Sequence, residues 1–356
     1  MNSIIFDVAV IGAGVSGLTC AQQFKKAGYS VIILDKSRGV GGRMATRRLS
    51  GTRADHGVRY LEAKGEQLQQ LIEQLKTCEP LENQLQLWTN TVYEFKDNKL
   101  QIPAISQPYY IIPSGMSTVG KFLAQGLNIR LNSRVNALTI TPEKTWQCHI
   151  ESINSNAIES SIIAKFVVIA IPAPQVLMLL EASNIAIESN FIASIKSVEY
   201  DPCITVIAGY SIDKSQALPK WRAVSFSDDK ILDWVGVDSS KRLNPTQPVF
   251  VIQSNRNFAE QYLEETDLTL AGEQLIHQAA NTLLPELKTP DWLQIHRWRY
   301  GFCRKPLSVS CLTTLTPLPL VCAGDWCGGN QIEGALKSGI EATNWLQTQT
   351  SVLKNP

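Results

Sequence analysis

The pattern of apolar positions near the start of the chain predicts two buried strands around a helix. Apolar runs cover residues 4–11 and 29–34, and the helical stretch between them covers residues 18–27. A glycine-rich turn joins the first strand to the helix, and Gly28 ends the helix. This order of strand, turn, helix and strand is typical of the first half of a dinucleotide-binding sheet.

The three glycines of that turn have separate expected roles. Gly12 permits the turn, Gly14 lets a pyrophosphate approach the backbone, and Gly17 lets the helix pack closely on the strand. The free N–H groups at the start of the helix then face the phosphates. Asp35 ends the second strand about 20 residues beyond the glycines, where an acidic side chain binds the ribose hydroxyls.

The middle of the chain predicts helices and a β-meander. Residues 65–78 and a stretch opening at Ser114, with Ser114 as its cap, have helical spacing, and residues 79–110 have a mixed pattern with short strands. Further predicted strands cover residues 129–132, 135–140, 145–153 and 162–171. The last of these is apolar enough to return to the buried sheet.

The pattern changes from about residue 174 onward. Strand-like runs cover residues 199–210, 221–228, 232–239, 248–255 and 291–303. One strong helix, over residues 271–284, interrupts them, which favours an antiparallel sheet and hence a second domain. Because no second glycine fingerprint follows a strand, a nicotinamide dinucleotide has no Rossmann site of its own.

Composition narrows the functional classes. A length of 356 residues predicts two domains, and a net charge of +1 argues against a general nucleic-acid binder. The eight cysteines are scattered without metal-ligand spacing, so we expect buried thiols, no metal site and a reducing, cytoplasmic location. We expect no membrane span, because the chain has no run of 18 apolar residues. Six basic residues between Lys36 and Arg53 form either a solvated loop or a complement to cofactor phosphates.

Two further segments predict a flavin site. Gly41 and Gly42 precede Arg43, so backbone N–H groups and a guanidinium are available to a second phosphate or a flavin ring. Near the C-terminus an apolar strand runs into Gly324 and Asp325, and a helix is expected to begin near Gly334. The N-terminus of such a helix would stabilise the negative charge of a reduced flavin.

These segments resemble flavoproteins of the amine oxidase and phytoene desaturase type, and the finer pattern resembles the renalase family. The matching segments are DKSRGVGGRMATRR (35–48), ADHGVRYL (54–61), PSGMSTVGKFLA (113–124), VEYDPC (198–203), LDWVGVDSSK (232–241), HRWRYGF (296–302) and AGDWCGGNQIEGALKSG (323–339). The first and last are shared with wider flavoprotein groups and indicate FAD. The middle ones favour renalase.

The renalase resemblance implies non-covalent FAD and a fold like p-hydroxybenzoate hydroxylase and the amine oxidases. It also implies oxidation of 2- and 6-dihydro isomers of NAD(P)H, in which a hydride leaves a ring carbon other than C4 for flavin N5 and oxygen becomes hydrogen peroxide. The expected fold is α/β, with a discontinuous, GR2-like Rossmann-type FAD domain and a mixed or antiparallel substrate domain. The expected domains are residues 1–76, 113–175 and 305–356 for FAD, and residues 77–112 and 176–304 for substrate.

Motifs and resemblance together give the candidate site residues. The expected FAD contacts are Gly12, Gly14, Val15, Ser16, Gly17, Asp35, Lys36, Arg38, Gly41, Gly42, Arg43, Met44, His56, Gly57, Val58, Arg59, Val135, Gly324, Asp325, Glu333, Gly334 and Ala335. The candidate catalytic residues are His296 and Tyr60, and the substrate candidates are Trp221, Trp234, Trp298 and Tyr300. Arg59 and Tyr60 are also candidates for the substrate cavity.

If residues 294–303 form a strand, His296, Trp298 and Tyr300 share one face, and Arg297 and Arg299 share the other. Core packing is the alternative role for each tryptophan, and structural hydrogen bonding is the alternative for His296. The functional alternatives are an amine oxidase or desaturase on the same scaffold, and a flavin-binding protein without turnover.

Overall fold

The computed structural model describes residues 4–49, 51–78, 85–151, 160–213, 218–329 and 331–354. Within these residues the helices are α1 (Val15–Lys26), α2 (Glu66–Thr77), α3 (Ser117–Leu123), α4 (Ala173–Ser183), α5 (Ser189–Lys196), α6 (Arg256–Gln261), α7 (Thr269–Thr282) and α8 (Gln331–Lys354). The described part also has two short 3-10 helices, Asp238–Lys241 and Pro285–Lys288.

The described strands number twenty. They are β1 (Ile5–Ile11), β2 (Val31–Leu34), β3 (Thr46–Leu49), β4 (Thr52–Asp55), β5 (Leu61–Glu62), β6 (Gln86–Thr89), β7 (Tyr93–Lys96), β8 (Lys99–Gln101), β9 (Tyr109–Ile111), β10 (Ile129–Arg130), β11 (Val135–Ile140), β12 (Trp146–Ile150), β13 (Ser160–Ile169), β14 (Glu199–Gly209), β15 (Ala223–Phe226), β16 (Leu232–Val237), β17 (Val249–Ser254), β18 (Trp292–Lys305), β19 (Leu312–Thr314) and β20 (Leu320–Cys322).

The chain divides into two compact units. The first comprises Met1–Gly42, Val119–Glu199 and Cys303–Pro356, and the second comprises Arg43–Thr118 and Tyr200–Phe302. The first unit is built on a sheet of order β10-β2-β1-β13-β12-β11, with β20 also pairing to β13 and β19 pairing to β20. Strands β10, β2, β1, β13 and β20 run parallel, as a dinucleotide-binding sheet requires.

The predicted meander is confirmed in this unit. Strands β11, β12 and β13 pair antiparallel in succession, and β13 then lies parallel to β1. Strand β12 alternates buried and half-buried positions, whereas the end of β13 is a continuous buried run. Buried runs of this kind belong to parallel strands covered on both faces. Residues 79–84, 152 and 153, which fall within predicted strand regions, lie outside the described residues.

The second unit is built on a sheet of order β18-β14-β17-β16-β15-β7-β8. Strands β14, β17, β16 and β15 pair antiparallel in turn, while β15 and β7 are parallel, so the expected mixed or antiparallel sheet is confirmed. Helix α7 packs on the apolar face of this sheet through Ala271, Leu275 and Ile276.

The units group four segments differently from the sequence prediction, and two of them are short: residues 113–118 lie in the second unit and residues 303–304 in the first. Residues 43–76, expected with the FAD domain, lie in the second unit, where Arg242 holds Asp55 at the end of β4. Residues 176–199, expected with the substrate domain, lie in the first unit, where the Ser183 hydroxyl on α4 accepts a hydrogen bond from Leu138 N of β11. Both assignments depend on partners more than 40 residues away, which a local pattern does not contain.

Two helix starts also differ from expectation. Helix α3 begins at Ser117 and its first amide donates to the Thr46 hydroxyl, while the Ser114 hydroxyl lies 3.0 Å from that of Thr118. Helix α8 begins at Gln331, three residues before Gly334. The expectation of buried thiols is confirmed for Cys20 and Cys322, both fully buried and free.

Candidate functional site

The glycine turn of the first unit gives its three glycines different surroundings. Gly12 has a φ of +109°, and a Cβ there would lie 2.4 Å from the carbonyl oxygen of Ala170. A Cβ on Gly17 would lie 2.0 Å from the carbonyl oxygen of Gly12, so close packing requires glycine at that position, as expected. A Cβ on Gly14 meets no atom of the described residues within 4 Å.

The start of α1 fits an anionic group. Gly14 is the N-cap residue, the first turn has no acidic residue, and among the described residues no side chain caps it. The Ser16 hydroxyl is buried in this turn and has no hydrogen-bond partner within the part of the chain that the structure describes. Unsatisfied N–H groups and an orphaned hydroxyl at one helix end are what a pyrophosphate would bind.

Asp35, the predicted ribose contact, fastens the glycine turn through its carboxylate. One carboxylate oxygen accepts a hydrogen bond from Ala13 N at 2.6 Å, and the other accepts one from Ser37 N at 2.7 Å. A carboxylate has about four lone-pair positions, so each oxygen retains capacity for a ribose hydroxyl.

The Gly41–Gly42 pair lies against the glycine turn. Gly41 N donates to the carbonyl oxygen of Ala13 at 2.7 Å, and Gly14 and Gly41 form an isolated parallel bridge. A Cβ on Gly120 would lie 2.6 Å from the Gly41 Cα, so α3 also approaches closely here. Lys36 and Arg38 are exposed in the same segment. The two glycine segments of the sequence therefore form one backbone-lined surface.

The C-terminal motif is placed by β20 and α8. Gly324 N donates to the Ser338 hydroxyl at 3.0 Å, and Asp325 is 5% exposed. A Cβ on Gly334 would lie 1.5 Å from the carbonyl oxygen of Gly329, so only glycine fits there. Ala335 is buried on the first turns of α8, and Val135 is buried at the start of β11. These positions satisfy the packing of the motif, and their contact with FAD stays a prediction.

In the second unit, His56, His296 and Trp298 form one ring cluster. The ring centroids of His56 and His296 are 5.0 Å apart, and those of His296 and Trp298 are 4.3 Å apart. Trp298 stacks on His56 at 5.4 Å with an interplanar angle of 28°. Its indole Nε1 donates to the His56 carbonyl oxygen at 2.9 Å. We refer to these three residues as the histidine–tryptophan cluster.

Strand β18 presents this cluster as the period-2 pattern predicts. His296 and Trp298 lie on one face, while Arg297 donates to the carbonyl oxygen of Tyr262 and Arg299 pairs with Glu264 on the other. Tyr300 packs edge-on against Tyr200 at 5.5 Å and makes no ring contact with the cluster in the described residues.

Both histidines of the cluster are neutral at pH 7. Burial lowers the pKa of His56 to about 4, and His296 and Arg47 act in the same direction, whereas Asp55 opposes them. Burial also lowers the pKa of His296 to about 4, with a further contribution from Arg47. Arg47 is exposed on β3 and donates to the Gln294 side-chain oxygen at 3.1 Å, so a cation borders the two imidazoles.

The remaining predicted cofactor residues of this unit have structural partners. Arg43 donates to the carbonyl oxygen of Gly301 at 3.1 Å, and its own carbonyl oxygen accepts from Val58 N at 2.9 Å. A Cβ on Gly57 would lie 2.0 Å from the same Arg43 oxygen, and Met44 is 1% exposed. Arg59 bonds Gln253 and Asp233 and lies over the Trp234 ring at 4.5 Å.

The aromatic candidates fall into separate groups. Tyr60 packs against Trp88, Tyr109 and Trp234, with centroid distances of 6.3, 4.5 and 5.6 Å. Burial raises the pKa of Tyr60, so its phenol is protonated at neutral pH. Trp221 is 7% exposed in the apolar core and contacts Phe250, which matches its core-packing alternative. The functional roles of Tyr60, Trp221, Trp234 and Tyr300 stay predictions.

Three features of this region are not among the predicted site residues. Arg47 is one of six basic residues between Lys36 and Arg53, and the sequence does not distinguish it from the others. Gln253 is 1% exposed and links Arg59 to the carbonyl oxygen of His56. The third feature is a cluster of four buried charges that includes Asp55. Within the described residues there is no group of three or more metal-ligating side chains, and no helix is both long and apolar enough to span a bilayer.

Comparison with known proteins gives the family. A sequence profile described as an NAD(P)-binding Rossmann-like domain matches residues 10–75. A second profile, the flavin containing amine oxidoreductase family, matches residues 77–344, which is most of the chain. The protein therefore belongs to the flavin-containing amine oxidoreductase family, and its cofactor is FAD.

Curated relatives match only short segments. The chain is 33% identical over 73 residues to a probable flavin-containing monoamine oxidase A of Dictyostelium discoideum, a match covering 20% of this chain and 16% of that protein. It is 44% identical over 61 residues to a phytoene desaturase of Fusarium fujikuroi, covering 17% of this chain and 11% of that protein. The chain thus spans less than a fifth of either relative in these matches.

Solved structures match over nearly the whole chain. A putrescine oxidase has a TM-score of 0.71 at 13% identity, with 97% of this chain and 100% of that chain covered. A cyclohexylamine oxidase from Brevibacterium oxydans has a TM-score of 0.70 at 12% identity, with 98% and 100% covered. These neighbours confirm the fold of flavin amine oxidases.

Proposed function

We propose that this protein is a flavin-dependent oxidase of isomeric dihydronicotinamides, the 2- and 6-dihydro forms of NAD(P). The products would be NAD(P)+ and hydrogen peroxide. The observation that carries the proposal is the juxtaposition of the neutral histidine–tryptophan cluster with the exposed cation of Arg47. The renalase-like segments 54–61 and 296–302 contain the cluster, which supports the same reading.

The rings of the cluster suit a planar, uncharged heterocycle. His56 and His296 are neutral, and Trp298 adds a third aromatic surface. A dihydronicotinamide ring is neutral before oxidation and could pack against such rings through dispersion and edge contacts. The polar imidazole atoms would orient its carboxamide. The role of this chain's residues is thus to stack and orient the reacting ring.

The charge beside the cluster suits an anionic substrate. Arg47 borders both imidazoles and lowers the pKa of each. A dinucleotide carries a pyrophosphate, which a guanidinium binds through charge-assisted hydrogen bonds. A protonated amine substrate would instead be repelled by this cation. The charge therefore favours the dinucleotide over a simple amine.

The reaction requires no base from the protein. When bound, FAD supplies the acceptor for the hydride and passes the electron pair to oxygen. The pyridine ring becomes aromatic when the hydride leaves, and no proton is abstracted from it. Neutral His296 and protonated Tyr60 fit a site that positions substrate without moving a proton from it.

In the first unit, the residues around Gly14 would hold the ADP part of FAD without a covalent bond. The free first turn of α1 and the Ser16 hydroxyl would bind the pyrophosphate, and Asp35 would bind the ribose. Precipitation of the protein with acid should release all of the yellow colour into the supernatant. Colour that stayed with the pellet would contradict non-covalent binding.

Amine oxidation is the second candidate, since the family and both structural neighbours act on or are named for amines. The second unit has aromatic residues suited to an amine cage, namely Tyr60, Trp88 and Trp234. In this structure, however, cations of the chain itself lie over two of these rings: Arg59 over Trp234 and Lys241 over Trp88.

Turnover with product identification tests the proposal. The holoenzyme is supplied with 6-dihydro-NAD in air, and oxygen uptake, peroxide and the proton NMR spectrum of the nicotinamide ring are recorded. We expect equal amounts of NAD+ and hydrogen peroxide. Turnover of putrescine or cyclohexylamine, with the dihydronicotinamide unchanged, would contradict the proposal and support the amine oxidase.

A further inference from the structure

Four charged side chains are buried together in the second unit. We call them the charge quartet: Asp55, Asp238, Lys241 and Arg242. Lys241 Nζ lies 2.8 Å from Asp238 Oδ1, and Arg242 Nη2 lies 2.6 Å from Asp238 Oδ2 and 3.0 Å from Asp55 Oδ2. Every one of these side chains is at most 7% exposed.

The quartet is formally neutral, with two acids and two bases. Burial alone would raise the pKa of Asp55, but Lys241 and Arg242 hold that pKa below its ordinary value. Asp238 and Asp55 in turn raise the pKa of Arg242 against the effect of burial. Asp55 and Arg242 therefore both carry their charge at neutral pH.

The four members also bond the backbone of two segments, residues 55–59 and residues 113–116. Asp55 Oδ1 accepts from Met116 N at 2.9 Å, and Asp238 Oδ1 accepts from Asp55 N at 3.3 Å. Lys241 Nζ donates to the carbonyl oxygen of Arg59 at 2.8 Å. Arg242 Nη1 donates to the carbonyl oxygen of Pro113 at 3.1 Å. Residues 55–59 are thus fastened at both ends.

Stability alone is a poor explanation for such a cluster. Replacing buried ion pairs by apolar residues of similar volume is often neutral or stabilising, because desolvation offsets the Coulomb attraction. An apolar cluster, however, would not bond the backbone at residues 55 and 59 in fixed directions. The segment between these two points contains His56, which stacks on Trp298.

We propose that the charge quartet is a positioning element: by bonding the backbone of Asp55 and Arg59, it fixes where the His56 ring meets Trp298 and His296. The quartet acts through the segment it holds. The consequence for catalysis rests on the proposed function, because it requires that the histidine–tryptophan cluster bind substrate.

Lys241→Met tests this in the holoenzyme. The variant removes the donor to the Arg59 carbonyl oxygen, whereas Lys241→Arg retains a cation and a donor. Lys230→Met is the matched control, because Lys230 is exposed in the same unit. The chain has four histidines, so labelling with 13C-histidine gives four ring signals, and His56→Gln and His296→Gln assign two of them.

We expect the His56 and His296 ring signals to move in Lys241→Met, while the signals of His149 and His277 stay in place. Lys241→Arg should restore most of the wild-type positions, and Lys230→Met should change nothing. The KM for 6-dihydro-NAD should rise about tenfold in Lys241→Met with kcat within about twofold, since a misplaced platform weakens binding.

Unchanged ring signals together with a lower melting temperature would overturn the proposal, because the quartet would then only stabilise the fold. If the Lys241→Met variant does not fold, the double variant Asp238→Leu/Lys241→Met is used instead. It removes one acid and one base, so the quartet keeps its formal neutrality. That double variant must move the His56 signal in the same way, or the proposal fails. If the signals move but the KM does not, positioning is supported and it is the substrate role of the cluster that fails.

Discussion

The indole of Trp298 makes two contacts with His56. Its Nε1 donates a hydrogen bond to the His56 carbonyl oxygen at 2.9 Å, and the two rings stack with an interplanar angle of 28°. One residue of β18 thus fixes both the backbone and the ring of a residue 242 positions earlier.

Trp298→Phe should retain most of the stacking and remove the hydrogen bond. A buried hydrogen bond contributes about 1 kcal/mol, so we expect the KM for 6-dihydro-NAD to rise about fivefold. Trp221→Phe is the control, since Trp221 packs in the core and should affect the melting temperature more than KM. Equal effects of the two variants on KM would contradict the role assigned to Trp298.

Gly14→Val and Gly17→Ala should fail in different ways. The first adds a side chain where no described protein atom lies within 4 Å, so the protein should fold but bind little FAD. The second places a Cβ 2.0 Å from the Gly12 carbonyl oxygen, so folding itself should suffer. Absorbance at the flavin band and circular dichroism distinguish the two. A Gly14→Val protein purified with full FAD would refute the pyrophosphate placement.

Arg47→Gln should weaken binding of the dinucleotide. Losing the partly exposed ion pair between Arg47 and the substrate pyrophosphate weakens the binding free energy by about 1 kcal/mol. The KM for 6-dihydro-NAD should therefore rise about fivefold. An N-alkyl 6-dihydronicotinamide lacks the phosphates, and its KM should stay within about twofold, which separates charge recognition from ring stacking. Arg48→Gln, on the next residue of β3, is the control. Equal losses with both substrates would argue against phosphate recognition by Arg47.

Burying two neutral histidines makes stability depend on pH. His56 and His296 have a pKa of about 4 in the folded protein, while an unfolded histidine has a pKa of about 6.5. Between these values the unfolded state binds more protons, so the free energy of unfolding should fall as the pH decreases from about 6.5 to about 4. Urea unfolding at about pH 7 and about pH 4.5 measures the slope.

His296→Gln should reduce that slope, since it removes one of the two groups. His277→Gln is the control because His277 is exposed on α7. A slope unchanged by His296→Gln would show that the pKa of this histidine is the same in the folded and the unfolded protein. The lowered pKa assigned to His296 would then be wrong.

The sequence predicted the parts of the fold that depend on local spacing. The tight packing at Gly17 follows from the glycine motif. The placement of His296 and Arg297 on opposite faces of β18 follows from the two-residue period of a strand. The start of α3 was missed because its first amide is bound by Thr46, about 70 residues earlier.

Long-range pairing also explains what was missed at the candidate site. Lys241 and Arg242 are ordinary surface residues by type, and only the fold brings Asp55 to them. Arg47 lies in a basic run whose members cannot be told apart by sequence. In the structure its side chain bonds Gln294, which places it beside the histidine–tryptophan cluster. Composition does not predict which charged side chains are buried, because the oppositely charged partners that permit burial come from distant segments of the chain.

Anaerobic stopped-flow absorbance of the holoenzyme tests the central claim most directly. The protein is mixed in turn with 6-dihydro-NAD(P), with ordinary 4-dihydro-NAD(P)H and with a simple amine, and bleaching of the flavin band is followed. We expect fast bleaching by the 6-dihydro isomer alone. Bleaching by the amine would assign amine oxidation instead, and no bleaching by any of the three would contradict the proposed oxidase.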